Sequence, residues 1–174
     1  IPHVRMMDTG KQNTSLAGLF GLPYVVIRKP RHIDTTTLNY NWQIWDTSAF
    51  SVYPAETDFI AQDSAHQAVS AVSRFLTKMG IIKYICHNGY IATVINEEEL
   101  MSVRTNTGGI YRRLCSSGDE VYAGQPLAEI LDPYEGYVTS TILSPTDGII
   151  FFTHKKPLAT ESEVICKIIR RLHA

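Results

Sequence analysis

Cysteine is scarce in this chain, and the scarcity excludes a disulfide framework. Cys86, Cys115 and Cys166 form no Cys-x-x-Cys pair, and three is an odd number. A reducing, cytoplasmic setting is the simpler expectation. Cys115 follows Leu114 and Cys166 follows Ile165, which makes both small strand or core residues rather than nucleophiles. No apolar run is long enough to cross a bilayer and no signal peptide is visible, so no membrane partner is expected. Sixteen basic residues against seventeen acidic ones give a net charge of -1, without the basic field that a nucleic-acid partner needs. An initiating methionine is also missing. Ile1-Pro2-His3 enters a strand-like stretch at once, as if the chain began inside something larger.

What is present is globular: 44% of the 174 residues are apolar and 19% charged, enough for one large or two small domains. One pattern occurs twice, as TGGIYRRLCSSGDEVYAGQPLAEI (107–130) and TDGIIFFTHKKPLATESEVICKI (146–168). Each copy opens on a glycine turn, passes a β-rich run and a polar turn, and closes on an apolar strand. Two such units bury a shared core that neither buries alone. The arrangement resembles biotinyl and lipoyl carrier domains, but their modified lysine is missing. The hairpin at 132–137 reads DPYEGY, and Lys155 and Lys156 lie away from that tip.

Ahead of the repeat the cadence is α/β. Residues 1–7 read as a strand, SLAGLFGL (15–22) as a short helix, and Tyr24–Arg28 as a strand stopped before Pro30. Trp42 and Trp45 fall three apart, and burial against the next strand is favoured over a lid role. SAFSVYPA (48–55) is a candidate central strand. Residues 63–79 give the clearest helix, capped by Asp63 or Ser64, with Ala65, Ala68, Val69, Val72, Phe75, Leu76 and Met79 in one broad apolar stripe and Gly80 at its close. Short β segments separated by turns follow, which places the boundary between an α/β domain (1–82) and an all-β domain (83–174).

Taken together, these pieces resemble the carboxy-terminal part of the succinylglutamate desuccinylase/aspartoacylase family, zinc deacylases related to the M14 carboxypeptidases. VRTNTGGIYRRLCSSGDEVYAGQPLAEILDPYEGYVTSTILSPTDGII is similar to the family's appended β domain. AFSVYPAETDFI and the helix ending MGII are similar to its last core strand and helix, and IPHVRM to the segment after a metal-binding histidine. The implied fold is the C-terminal part of a zinc-carboxypeptidase-like α/β/α domain, followed by an all-β barrel-sandwich (lipoyl-like) domain. The implied activity is zinc-dependent hydrolysis of the amide bond of an N-acyl amino acid or similar small amide. The implied zinc is held by two histidines and a glutamate, with a further glutamate as general base.

No His-x-x-Glu segment occurs in this chain, and His32, His87 and His154 share no ligand spacing. The resemblance therefore implies zinc ligands upstream of Ile1, supplied by a missing N-terminal part in the same or a second chain. At the position of the family's general base stands Tyr53, whose phenol has an ordinary pKa of about 10 and cannot replace a carboxylate. The nearest carboxylate is Glu56, a candidate base or an ordinary loop residue. Tyr53 is a candidate pocket-lining hydrogen-bond donor. Arg5, on the same side of its strand as His3, is either a clamp for a substrate carboxylate or half of a structural pair. The alternative is a catalytically inactive family member that binds a small molecule or mediates assembly, and homo-oligomerisation through the β domain stays open.

Overall fold

The structure, a computed structural model that describes residues 1–55 and 61–171, divides into two compact units: Pro2–Glu97, and Glu98–Ala174 together with Ile1. In the first unit four short stretches make strands: β1 (His3–Met7), β2 (Tyr24–Arg28), β3 (Ser51–Tyr53) and β4 (Thr93–Asn96). They form one mixed sheet in the order β3-β1-β2-β4, with β2 parallel to both β1 and β4 and β3 antiparallel to β1. Among the described residues the stretch 48–55 thus supplies an end strand rather than a central one. β4, which composition alone assigns to the β-rich half, completes this sheet.

Three helices cover the sheet: α1 (Thr14–Gly18), α2 (Leu38–Ile44) and α3 (Gln62–Lys78). Alternation along β1 sends Val4 and Met6 to one face, where they pack with Ala17 of α1, with Phe20 just after it, and with Ala71 and Phe75 of α3. Each fully buried side chain of this kind contributes about 1.5–3 kcal/mol. Asn13 caps α1 by accepting from the Leu16 N–H at 2.9 Å. No side chain caps α3, so neither Asp63 nor Ser64 does so; Ala61 holds that place. Gly80 closes α3 as expected, at φ +74, with the Gly80 N–H on Thr77 O and the Ile81 N–H on Leu76 O.

The opposite face lies under α2. Its one fully buried residue is Gln43, whose Oε1 accepts from Met7 N–H at 3.1 Å while Nε2 donates to Met7 O at 2.7 Å and Thr9 Oγ1 at 3.0 Å. A single amide thus satisfies both backbone groups of Met7, the last residue of β1. With Gln43 facing inward, Trp42 and Trp45 are left 52% and 80% exposed, against the burial expected for them.

Between β2 and α2 a single 3₁₀ turn carries Asp34, buried and paired with Arg28, while the Arg31 N–H donates to its Oδ2 at 2.7 Å. The Arg28 contact, then the Arg31 N–H, hold this carboxyl below its ordinary value of 3.8. A depressed acid stabilises the fold above its unfolded pKa, and the contribution is lost as pH falls through the lower folded value. Asp34→Asn is therefore expected to lower the urea midpoint at pH 7, with a deficit that shrinks below about pH 4. A deficit of the same size at both ends of that range would remove Asp34 from the acid response.

The second unit holds β5 (Leu100–Arg104), β6 (Gly109–Arg113), β7 (Glu120–Val121), β8 (Pro126–Leu131), β9 (Val138–Leu143), β10 (Gly148–Thr153), β11 (Leu158–Ala159) and β12 (Val164–Arg170). Two sheets result, β5-β12-β10-β7 and β11-β6-β8-β9. Among the described residues both are open, each ending in a strand that pairs on one side only, and this overturns the expected barrel-sandwich, lipoyl-like domain. A closed barrel needs its terminal strands to pair with each other. Here β7 and β11 are two residues long, too short to carry the ladder onward.

The repeat is nevertheless written into the pairing. β6 runs against β8 in the first copy, and β10 against β12 in the second. The short strands are exchanged: β7 pairs with β10, and β11 with β6. Ile130 and Ile168, the closing residues of the two copies, are fully buried in one core with Ile150, Ile165 and Leu127. The turn before the last strand of each copy also matches, with Gly124 at φ +82 and Ser162 at φ +62. Cys115 and Cys166 lie in this core, as small apolar residues.

Candidate functional site

Alternation on β1 puts His3 and Arg5 on the face opposite Val4 and Met6, and antiparallel pairing sets His3 across from Tyr53 and Arg5 across from Ser51. The His3 and Tyr53 rings stack with centroids 5.0 Å apart and planes 4° from parallel. Arg5 Cζ lies 4.5 Å from the centre of the Tyr53 ring, a cation–π contact. α2 approaches the same face, where Asn39 Nδ2 donates to Ser51 Oγ at 2.9 Å. The structure thus brings Arg5 and Tyr53 together at the end of β3.

Within this cluster Arg5 Nε is shielded from solvent and has no hydrogen-bond partner among the described residues, and the same holds for Asn39 Oδ1. A guanidinium N–H left this way costs free energy until an acceptor reaches it. The chemistry on offer is a fixed cation, a phenol, an imidazole and an amide. It can bind and orient an anionic group and donate hydrogen bonds to it. Glu56, the candidate base, lies outside the described residues.

His3 was legible as a strand residue, but its stack on Tyr53 was not, because only the register of β1 against β3 creates it. The remaining described histidines do not join the cluster. His32, His66 and His87 are exposed in the first unit, and His154 is buried in the second, with Nε2 3.0 Å from Leu158 O and Nδ1 3.6 Å from Glu163 Oε1. Among the described residues no three His, Cys, Asp or Glu side chains come together to hold a metal ion. The donor set of the cluster, one imidazole with a guanidinium close by, does not fit zinc, which takes three or four anionic or imidazole ligands. No helix among the described residues is long and apolar enough to cross a membrane.

The sequence matches no family model and no curated protein. In three dimensions the chain has the fold of seven solved structures, matched with TM-scores of 0.68 to 0.79, five of them succinylglutamate desuccinylase or aspartoacylase family structures. Among the seven is the product-bound ectoine utilization protein EutE (DoeB) of Ruegeria pomeroyi, with a TM-score of 0.79 at 14% identity over 97% of this chain and 53% of that one. The succinylglutamate desuccinylase/aspartoacylase of Rhodobacter sphaeroides gives 0.75 at 15% identity over 99% and 54%. An aspartoacylase family protein of Mesorhizobium loti gives 0.70 at 14% identity over 99% and 53%. The resemblance expected from the motifs is met at the level of the fold. The chain spans about half the length of the structures it matches, 50–55% of each.

Proposed function

We propose that this chain is the carboxy-terminal part of a zinc-dependent deacylase that hydrolyses the amide bond of an N-acyl amino acid or a similar small amide. The observation that carries the reading is the fold shared with desuccinylase and aspartoacylase structures along nearly the whole chain, together with the half-length match. The zinc ligands then belong to the other half of the catalytic domain, in the same or a second polypeptide. This chain's own residues act on the substrate. Arg5 presents its open N–H to the amino-acid carboxylate, and the Tyr53 ring beneath it fixes the guanidinium and offers a phenolic donor. Glu56, three positions after Tyr53, takes a proton from the attacking water and returns it to the departing amine. Three thiols and no disulfide suit a cytoplasmic enzyme.

One observation favours a second reading. Tyr53, which the resemblance puts at the position of the family's glutamate, is stacked on His3, as suits an inactive relative retained for binding. The test is made on the whole protein, with a panel of N-acyl amino acids and a metal assay. Bound zinc is expected, with release of free amine that a chelator abolishes and added zinc restores. A metal-free protein that binds these compounds without cleaving them would leave the binding reading in place of the enzyme.

A further inference from the structure

Two buried polar atoms of the candidate site stand open, and they are of opposite kind. Arg5 Nε is an N–H donor on a cation, whereas Asn39 Oδ1 is a neutral acceptor. Each is shielded from solvent and has no hydrogen-bond partner among the described residues. Both groups are held in place. Arg5 Cζ lies 4.5 Å from the centre of the Tyr53 ring. The Asn39 amide is tied through Nδ2 to Ser51 Oγ at 2.9 Å, which leaves Oδ1 as its open atom. Ser51 is the cross-strand partner of Arg5 in the β1–β3 pair, so the two open groups belong to one patch of the sheet face. Either one left unsatisfied costs free energy. A donor and an acceptor left open together point to a ligand that carries both complements.

A carboxylate alone fits half of this patch. Its oxygens accept from Arg5, but against Asn39 Oδ1 they would set acceptor on acceptor. An N-acyl amino acid fits both halves, because its carboxylate and its amide N–H hang from one carbon. We propose that Asn39 is a specificity-determining residue that accepts the amide N–H of the substrate while Arg5 takes the carboxylate. The assignment rests on the function proposed above and narrows its substrates to secondary amides. Esters and ketones of the same shape have no hydrogen to give, and they leave Oδ1 buried and unpaired.

The test compares two ligands of the whole protein, N-acetylglycine and levulinate, which has the same shape with a methylene in place of the N–H. Dissociation constants are read from titrations shorter than any turnover. The wild-type protein is expected to bind N-acetylglycine about tenfold or more tighter than levulinate. Asn39→Ala is expected to bring the two close to equal, by weakening N-acetylglycine. Ser51→Ala, which unties the amide, is expected to cut the preference as well. Arg5→Gln is expected to weaken both ligands and keep their ratio, since both carry the carboxylate. A merely structural role for Asn39 would lower stability without moving that ratio. Equal binding by the wild-type protein would overturn the inference, as would a preference that survives Asn39→Ala. Failure to bind either ligand would overturn it together with the substrate class it rests on. The deacylase fails separately: a protein that holds no zinc and releases no amine, yet shows the Asn39-dependent preference, would lose that activity and keep this assignment.

Discussion

Replacing Gly148 with alanine is expected to destabilise the β unit by about 3 kcal/mol or more, and to lower that unit's melting temperature by about 12–24 °C. A Cβ at Gly148 would collide with the carbonyl oxygen of Ile169 and come within 2.7 Å of Ile168 Cγ2. Neither atom can yield cheaply. The first is backbone of β12, which is paired with β10 on one side and β5 on the other, and the second belongs to a fully buried core side chain. Gly109 meets the same situation in the first copy, with Leu131 O at 2.5 Å and Ile130 Cγ2 at 2.8 Å. Gly136 is the control. It has φ +76 and nothing within 4 Å of its Cβ, so Gly136→Ala adds only backbone strain, about 1 kcal/mol. Thermal melts of the three variants separate the two causes. Equal losses at 148 and 136 would mean that the close approach to the neighbouring strand costs nothing.

Glu56→Gln is expected to lower the rate of amide hydrolysis at least about a hundredfold while leaving the melting temperature unchanged. The change keeps the shape of the side chain and removes its capacity to carry a proton. Tyr53 cannot compensate, since a phenol of ordinary pKa about 10 is protonated at neutral pH and donates rather than accepts. The loss is expected in kcat, with KM little changed, because substrate binding is assigned to Arg5 and not to Glu56. An unchanged kcat would remove Glu56 from the mechanism. With Tyr53 at the end of β3, the described part of the stretch would then retain no candidate base.

Parts of this architecture are written locally and parts are not. The three- and four-residue spacing in α3, its stop at Gly80, and the strands around Val4 and Val25 follow from periodicity and turn chemistry, and the structure has them all. The duplicated pattern led to Gly109, Gly148, Ile130 and Ile168, which meet in space in two equivalent pairs. Strand order is different in kind. Nothing in SAFSVYPA says that β3 lies at the end of its sheet, and nothing in TVIN says that β4 returns to pair with β2. Those facts depend on contacts between residues far apart in sequence. The same holds for the site, because Arg5 and Tyr53 were each recognisable as candidates, but the cation–π contact that joins them depends on register. The tryptophans mislead for a further reason. Apolar spacing alone does not show that a polar residue, Gln43, takes the inward position between them.

The exchange of β7 and β11 between the two copies has a consequence for how such a unit can change over evolutionary time. In a solenoid, repeats are gained and lost one at a time, because each leans only on its neighbour. Here each copy completes the other's sheet, so deleting one strips a strand from the survivor. The duplication does not fall back to one. Its halves are free to drift in sequence, as Gly124 and Ser162 have done at one turn, but neither can leave.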